Sequence, residues 1–209
     1  MSSEPGQVEI ELSTDVQGYF AELVQEATRD RHVEATNAAT SYLSALLADY
    51  AKPGVLSRGT LERPFTLLLA EALESAGQER FERLRAVGDG ALYVRGFFSE
   101  HLETRGVQLK YVSSVGARAY DGAASMLRRA SAGDAKGAPD LFGELAERFD
   151  AFVALLSSIA NRIVAQSGLA SDGGVLKLYE RWVRTGSTEI AQALGAHGLL
   201  PLKGTAGIS

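Results

Sequence analysis

Apolar residues along this chain recur mostly at three- and four-residue spacing, the period of a helix with one face turned to a core. The plainest run is Leu141, Leu145, Phe149, Phe152, Leu156, Ile159 and Ile163. Their spacing predicts one continuous stripe over about six turns, a spine for neighbouring helices to pack on. Upstream, Ser13-Thr14-Asp15 offer N-cap side chains to a helix with Val16, Phe20, Leu23 and Ala27 on one face. A second helix is predicted from about Glu34 to Ala51, burying Ala39, Tyr42, Leu43, Leu46, Leu47 and Tyr50 and stopped by Pro53-Gly54. Pro64 suits the first turn of a short helix through Ser75, where its missing N–H costs nothing. That segment is apolar around most of its circumference, which predicts a central place in the fold.

The next helix starts near Gln78 with Phe81 and Leu84 inward and meets Gly88-Asp89-Gly90. Two glycines in a helix interior cost about 1 kcal/mol each relative to alanine. A neighbour that needs close approach offsets this, so the helix is read as continuing, with a kink, to about Leu102. Thr104-Arg105-Gly106 make the turn into a helix from about Gln108 to Ala130, and Ser131 to Pro139 read as a mobile surface loop. Beyond the spine, Gly168 to Gly174 form a turn with Asp172 as a cap. Leu176, Tyr179, Trp182 and Val183 mark a helix ending at Gly186, and Ile190, Ala191 and Leu194 a short last one.

The start of the chain departs from this period. Val8, Ile10 and Leu12 alternate with Glu9 and Glu11, the spacing of a strand. One such segment makes no sheet alone, so it predicts an extended arm or a contact with another subunit. The whole reads as all-α: a single-domain bundle of about seven to eight helices. Residues 1–12 form a flexible or extended N-terminal arm, 13–200 the bundle and 201–209 a tail.

Composition narrows the partners. With 209 residues, 45% of them hydrophobic, the chain can bury a core as one domain or at most two small ones. A net charge of −5, with arginines interleaved among glutamates as in Glu79-Arg80-Phe81-Glu82-Arg83, argues against nucleic-acid binding, which needs a pooled basic face. The absence of cysteine excludes disulfides, thiolate metal sites and a cysteine nucleophile. The longest apolar run, around Leu67 to Ala70, is far short of the ~20 residues that span a bilayer. The N-terminus is acidic and lacks the apolar run of a signal peptide, so the expectation is a soluble cytoplasmic protein.

Candidate chemistry is sparse. His32, His101 and His197 are the only histidines, with no HExxH and no Glu-x-x-His, so neither a metal nor a cofactor is expected. There is no GxSxG elbow. Gly88-Asp89-Gly90 follows no strand and lacks the third glycine of a dinucleotide loop. Gly173-Gly174 read as a helix-entry turn. What stands out is Gly88 to Tyr120, rich in glycine, aromatics and charge. One reading is steric: Gly96 and Gly116 let two adjacent helices approach, with Ala119 and Ala123 continuing the small face and Asp89 paired to an arginine such as Arg118. Another makes Asp89, Tyr93, Arg95, Tyr111, Arg118 and Tyr120 the lining of a pocket for a small polar or anionic ligand. A third is a protein-binding face, since Tyr and Arg are favoured anchors.

The run Phe81-Glu-Arg-Leu, Gly88-Asp89, Leu92-Tyr93-Val94, Gly96-Phe97-Phe98, Tyr111-Val112 and Gly116-Ala-Arg-Ala-Tyr120 resembles a family of uncharacterised proteobacterial all-helical proteins, as does Leu176-Lys-Leu-Tyr179-Glu-Arg-Trp182-Val-Arg-Thr-Gly186-Ser187. The resemblance covers most of the chain from about Tyr42 to Pro201. It implies a bacterial protein with a single helical fold, and it carries over no functional residue. The expected function is therefore non-catalytic: binding another protein or self-assembly, with a homodimer as one form of it. A regulator binding a small ligand near Gly88–Tyr120 is the alternative. An enzyme would use Asp89 with Tyr93 or Tyr120 in proton transfer.

Overall fold

The computed structural model describes residues 5–52, 63–131 and 140–199. Among these residues there are ten helices and no strand. They fall into two compact units, one through Leu156 and one from Ser157.

In the first unit, α1 (Pro5–Asp30) packs along α2 (Asn37–Tyr50). Phe20, Leu23, Val24 and Ala27 of α1 and Ala39, Leu43, Leu46 and Leu47 of α2 are buried. Thr36 caps α2 by accepting from the Ala39 N–H at 3.2 Å. The cap is itself held by Glu144, which accepts from the Thr36 N–H at 2.9 Å and from its hydroxyl at 2.5 Å.

The strand-like alternation at Val8 to Leu12 is corrected here, because the backbone is already helical from Pro5 and α1 begins well before Ser13. Val8, Leu12, Val16 and Phe20 stand four apart, so the same letters also keep a helical period, and glutamate is a good helix former. No second strand is present among the described residues to reward an extended conformation.

Next come α3 (Phe65–Glu74), α4 (Gly77–Phe97), α5 (Ser99–Thr104), α6 (Leu109–Ala130), α7 (Leu141–Glu147) and α8 (Phe149–Gly168). Against expectation, α3 is peripheral. Phe65, Leu69 and Ala72 are buried, while Leu67 and Leu73 stay 48% and 41% exposed. Its contacts with α4 and α6 use only one side of an all-round apolar helix. As read, α4 continues through Gly88-Asp89-Gly90, but it stops at Phe98 (φ −125°, ψ 24°), short of Leu102.

The expected spine is also interrupted, at Arg148 (φ −107°, ψ 23°). The Arg148 guanidinium reaches out to the Glu34 carbonyl and lies 3.4 Å from the Glu34 carboxylate. Backbone bonds from Arg148 to Glu144 and from Phe152 to Arg148 carry the helical phase across the break. Leu145, Phe149, Phe152 and Leu156 therefore remain buried as one stripe. These two breaks account for ten helices where the periodicity suggests about eight.

The second unit contains the end of α8, then α9 (Asp172–Thr185) and α10 (Thr188–Ala196). Ser171, rather than Asp172, caps α9, accepting from the Gly174 N–H at 3.2 Å. Gly186 ends it in the left-handed conformation (φ 64°), a position that suits glycine. Leu178 and Trp182 pack with Ala165, Ile190 and Leu194 in the unit's core. The rest of the predicted α9 pattern faces outward: Leu176, Tyr179 and Val183 are exposed.

Pro53-Gly54, the loop expected beyond Ser131 and the 201–209 tail lie outside the described residues. No described helix is long and apolar enough to cross a membrane.

Candidate functional site

The contact between α4 and α6 is built on missing side chains. A Cβ on Gly88 would sit 2.5 Å from the Tyr120 ring, and one on Gly116 would sit 2.4 Å from the Phe149 ring and 2.8 Å from the Ala91 methyl. Ala119 and Ala123 are fully buried along the same side of α6. Gly96 serves a different neighbour, since its absent Cβ leaves room for Leu156 of α8. Close packing of this kind is what the steric reading of the glycines requires.

Asp89 stands at the centre. Tyr42 from α2 and Tyr120 from α6 both donate to its Oδ1, at 2.6 and 2.7 Å. The nearest cation is Arg85, one turn earlier on α4, with Nε 3.9 Å from Oδ2. Burial raises the Asp89 pKa, while the two tyrosine hydrogen bonds and Arg85 pull it down. Burial first, and then the Asp89 charge, raises both Tyr42 and Tyr120 well above the ordinary tyrosine value. The pairing of Asp89 with Arg118 is corrected: Arg118 is exposed, two residues from Tyr120 and so on another side of α6.

The other candidates occupy separate places. Tyr93 is stacked between Tyr50 (centroids 4.4 Å apart) and Phe97 (4.7 Å). Arg95 donates to Ser113 Oγ at 3.1 Å and to Ser99 Oγ at 2.8 Å, and burial lowers its pKa against the opposing pull of Asp150 and Glu103. The Tyr111 hydroxyl accepts from the Thr66 N–H at 3.1 Å, satisfying one orphan donor at the start of α3. Thus only Asp89 and Tyr120 touch, and the six candidates do not converge on one space. The sequence reading missed Tyr42 as a partner of Asp89. Its one signal was a phenol on the buried face of α2, whose hydroxyl needs a partner once buried.

Arg118 instead lines a surface cleft of about 1060 Å³ between α6 and α7, with Asp121, Arg128, Asp140, Glu144, Glu147 and Arg148 around it. Arg128 is bonded to Asp140 and lies 3.5 Å from Asp121. A second cleft of about 480 Å³ adjoins it, sharing Ala117, Ala146, Glu147 and Arg148 and adding Lys110 and Asp150. Among the described residues no group of three or more His, Asp or Glu side chains is placed to hold a metal ion. Comparison with protein-family models, curated proteins and solved structures gave no match.

Proposed function

We propose that this chain is a non-catalytic helical protein that acts by docking, on another protein or on a second copy of itself, through the α6–α7 cleft. The observation that carries the reading is a contrast between two groups of polar side chains. Tyr42 and Tyr120 both spend their hydroxyls on Asp89 within the helix packing, with Tyr120 fully buried and Asp89 only 16% exposed. At the cleft, Lys110 and Arg118 on α6 and Glu147 and Asp150 across it are exposed, none of the four makes a close ion pair or hydrogen bond with another described residue, and only Asp150 acts on a nearby charge, that of Arg95. Charges left open on both banks of a groove suit a charged protein surface better than an enclosed small molecule. A photo-crosslinking residue at Ala117, which lines both clefts, should yield protein adducts in cells, and the same residue at the exposed Arg83, which lines neither, should not. Equal or absent crosslinking at the two positions sinks the reading.

A second reading, a regulator that binds a small anion, is favoured by the unpaired Arg118 guanidinium. A panel of metabolites and nucleotides should then give a thermal shift that Arg118→Ala abolishes.

A further inference from the structure

We infer that the partner in this cleft is a second copy of the chain, docked about a two-fold axis parallel to α6; the inference rests on the docking reading above. The face is complementary to itself in charge. On α6 the face carries Lys110 and Arg118, with Asp121 offset by Arg128, and at α7 and the start of α8 it carries Glu147 and Asp150, with the intervening Arg148 held by Glu34. Two-fold rotation about an axis running between parallel banks sets the cationic bank of each copy opposite the anionic bank of the other. A perpendicular two-fold in the same plane would oppose like charges. Arg118 and Glu147 both line the larger cleft, and Lys110 and Asp150 both line the smaller. Lys110 and Arg118 are about 12 Å apart along α6, while Glu147 and Asp150, three residues apart, are separated by about 4.5 Å, so Arg118–Glu147 is the pair set in register and Lys110 reaches Asp150 along its flexible stem. Between the banks the floor is Ala117 and Ala146, both half-buried and short enough for the second copy to approach.

The interface closes on itself, as an isologous contact must, so it gives a dimer and not a fibre. Exposed ion pairs are individually weak and screened by salt. The dimer is therefore reversible, forming at high protein concentration and loosening by about tenfold or more in dissociation constant between low and high salt.

Charge swapping tests this on the full chain. Sedimentation velocity at low salt should show wild type dimerising, and Arg118→Glu and Glu147→Arg each monomeric. An equimolar mixture of the two variants should recover the dimer, because each copy then offers what the other lacks. The Arg118→Glu/Glu147→Arg double variant should dimerise alone. Wild type monomeric throughout, or single variants as dimeric as wild type, overturns the inference. So does a mixture that stays monomeric while both variants keep wild-type circular dichroism. Crosslinking from Ala117 separates this failure from that of the docking reading. Adducts of twice the chain mass support the second copy. Adducts of another mass overturn it and leave docking standing, and no adduct overturns both.

Discussion

Asp89 receives both tyrosine hydroxyls on one oxygen, so each hydrogen bond holds the carboxylate in the place the other needs. Tyr42→Phe should cost about 1.5 kcal/mol and Tyr120→Phe about 3 kcal/mol, the range for bonds to a charged group, with the fully buried ring at the upper end. The double variant should cost less than the sum, because the partners share Oδ1; urea unfolding measures all three. The carboxylate also ties stability to pH. Its pKa is raised in the folded state, so its contribution is fully present below the unfolded value of 3.8 and is lost as pH rises through the folded value. Wild type should therefore lose stability relative to Asp89→Asn as pH climbs from about 4 towards neutrality. A difference that stays flat or reverses would show that the hydrogen bonds, not burial, dominate.

At the scale of the helix, glycine means different things at different positions. Gly88→Ala gains up to about 1 kcal/mol of helix propensity but drives a methyl into the Tyr120 ring, and overpacking costs about 1–3 kcal/mol. It should be net destabilising. Gly18, in α1, has nothing within 4 Å of its absent Cβ, so Gly18→Ala should raise stability by up to about 1 kcal/mol. Thermal unfolding of the two variants should move in opposite directions. The helices themselves were legible in the sequence because period and caps are local, and the close approach at Gly88 and Gly116 was legible because glycine inside a helix needs a reason. Tyr42 was not, since nothing near residue 42 records that residue 89 will lie beside it. Nor were the breaks at Phe98 and Arg148: the apolar stripe keeps its phase across Arg148, and only the reach of that side chain to Glu34 marks the place. At α9 the spacing that predicted the helix did not say which apolar residues face inward.

Over the whole molecule, the two units differ in the size of their cores. The second rests on Ala165, Leu178, Trp182, Ile190 and Leu194, while the first buries most of the remaining apolar residues. Trp182 is the only tryptophan in the chain, so its fluorescence reports the smaller core alone. In a denaturant titration it should change at lower concentration than far-UV ellipticity, which is weighted to the first unit; coincident curves would show one cooperative transition. The Asp89 junction has a consequence in time as well. Its donors lie 47 residues before and 31 residues after it along the chain, so a long loop must close for each partner that Oδ1 gains. An interaction completed after the folding barrier acts on the rate of escape and leaves the folding rate nearly unchanged. In stopped-flow experiments Tyr42→Phe should speed unfolding while folding stays within about twofold of wild type. That outcome would make the junction a determinant of how long the folded chain persists rather than of how quickly it forms.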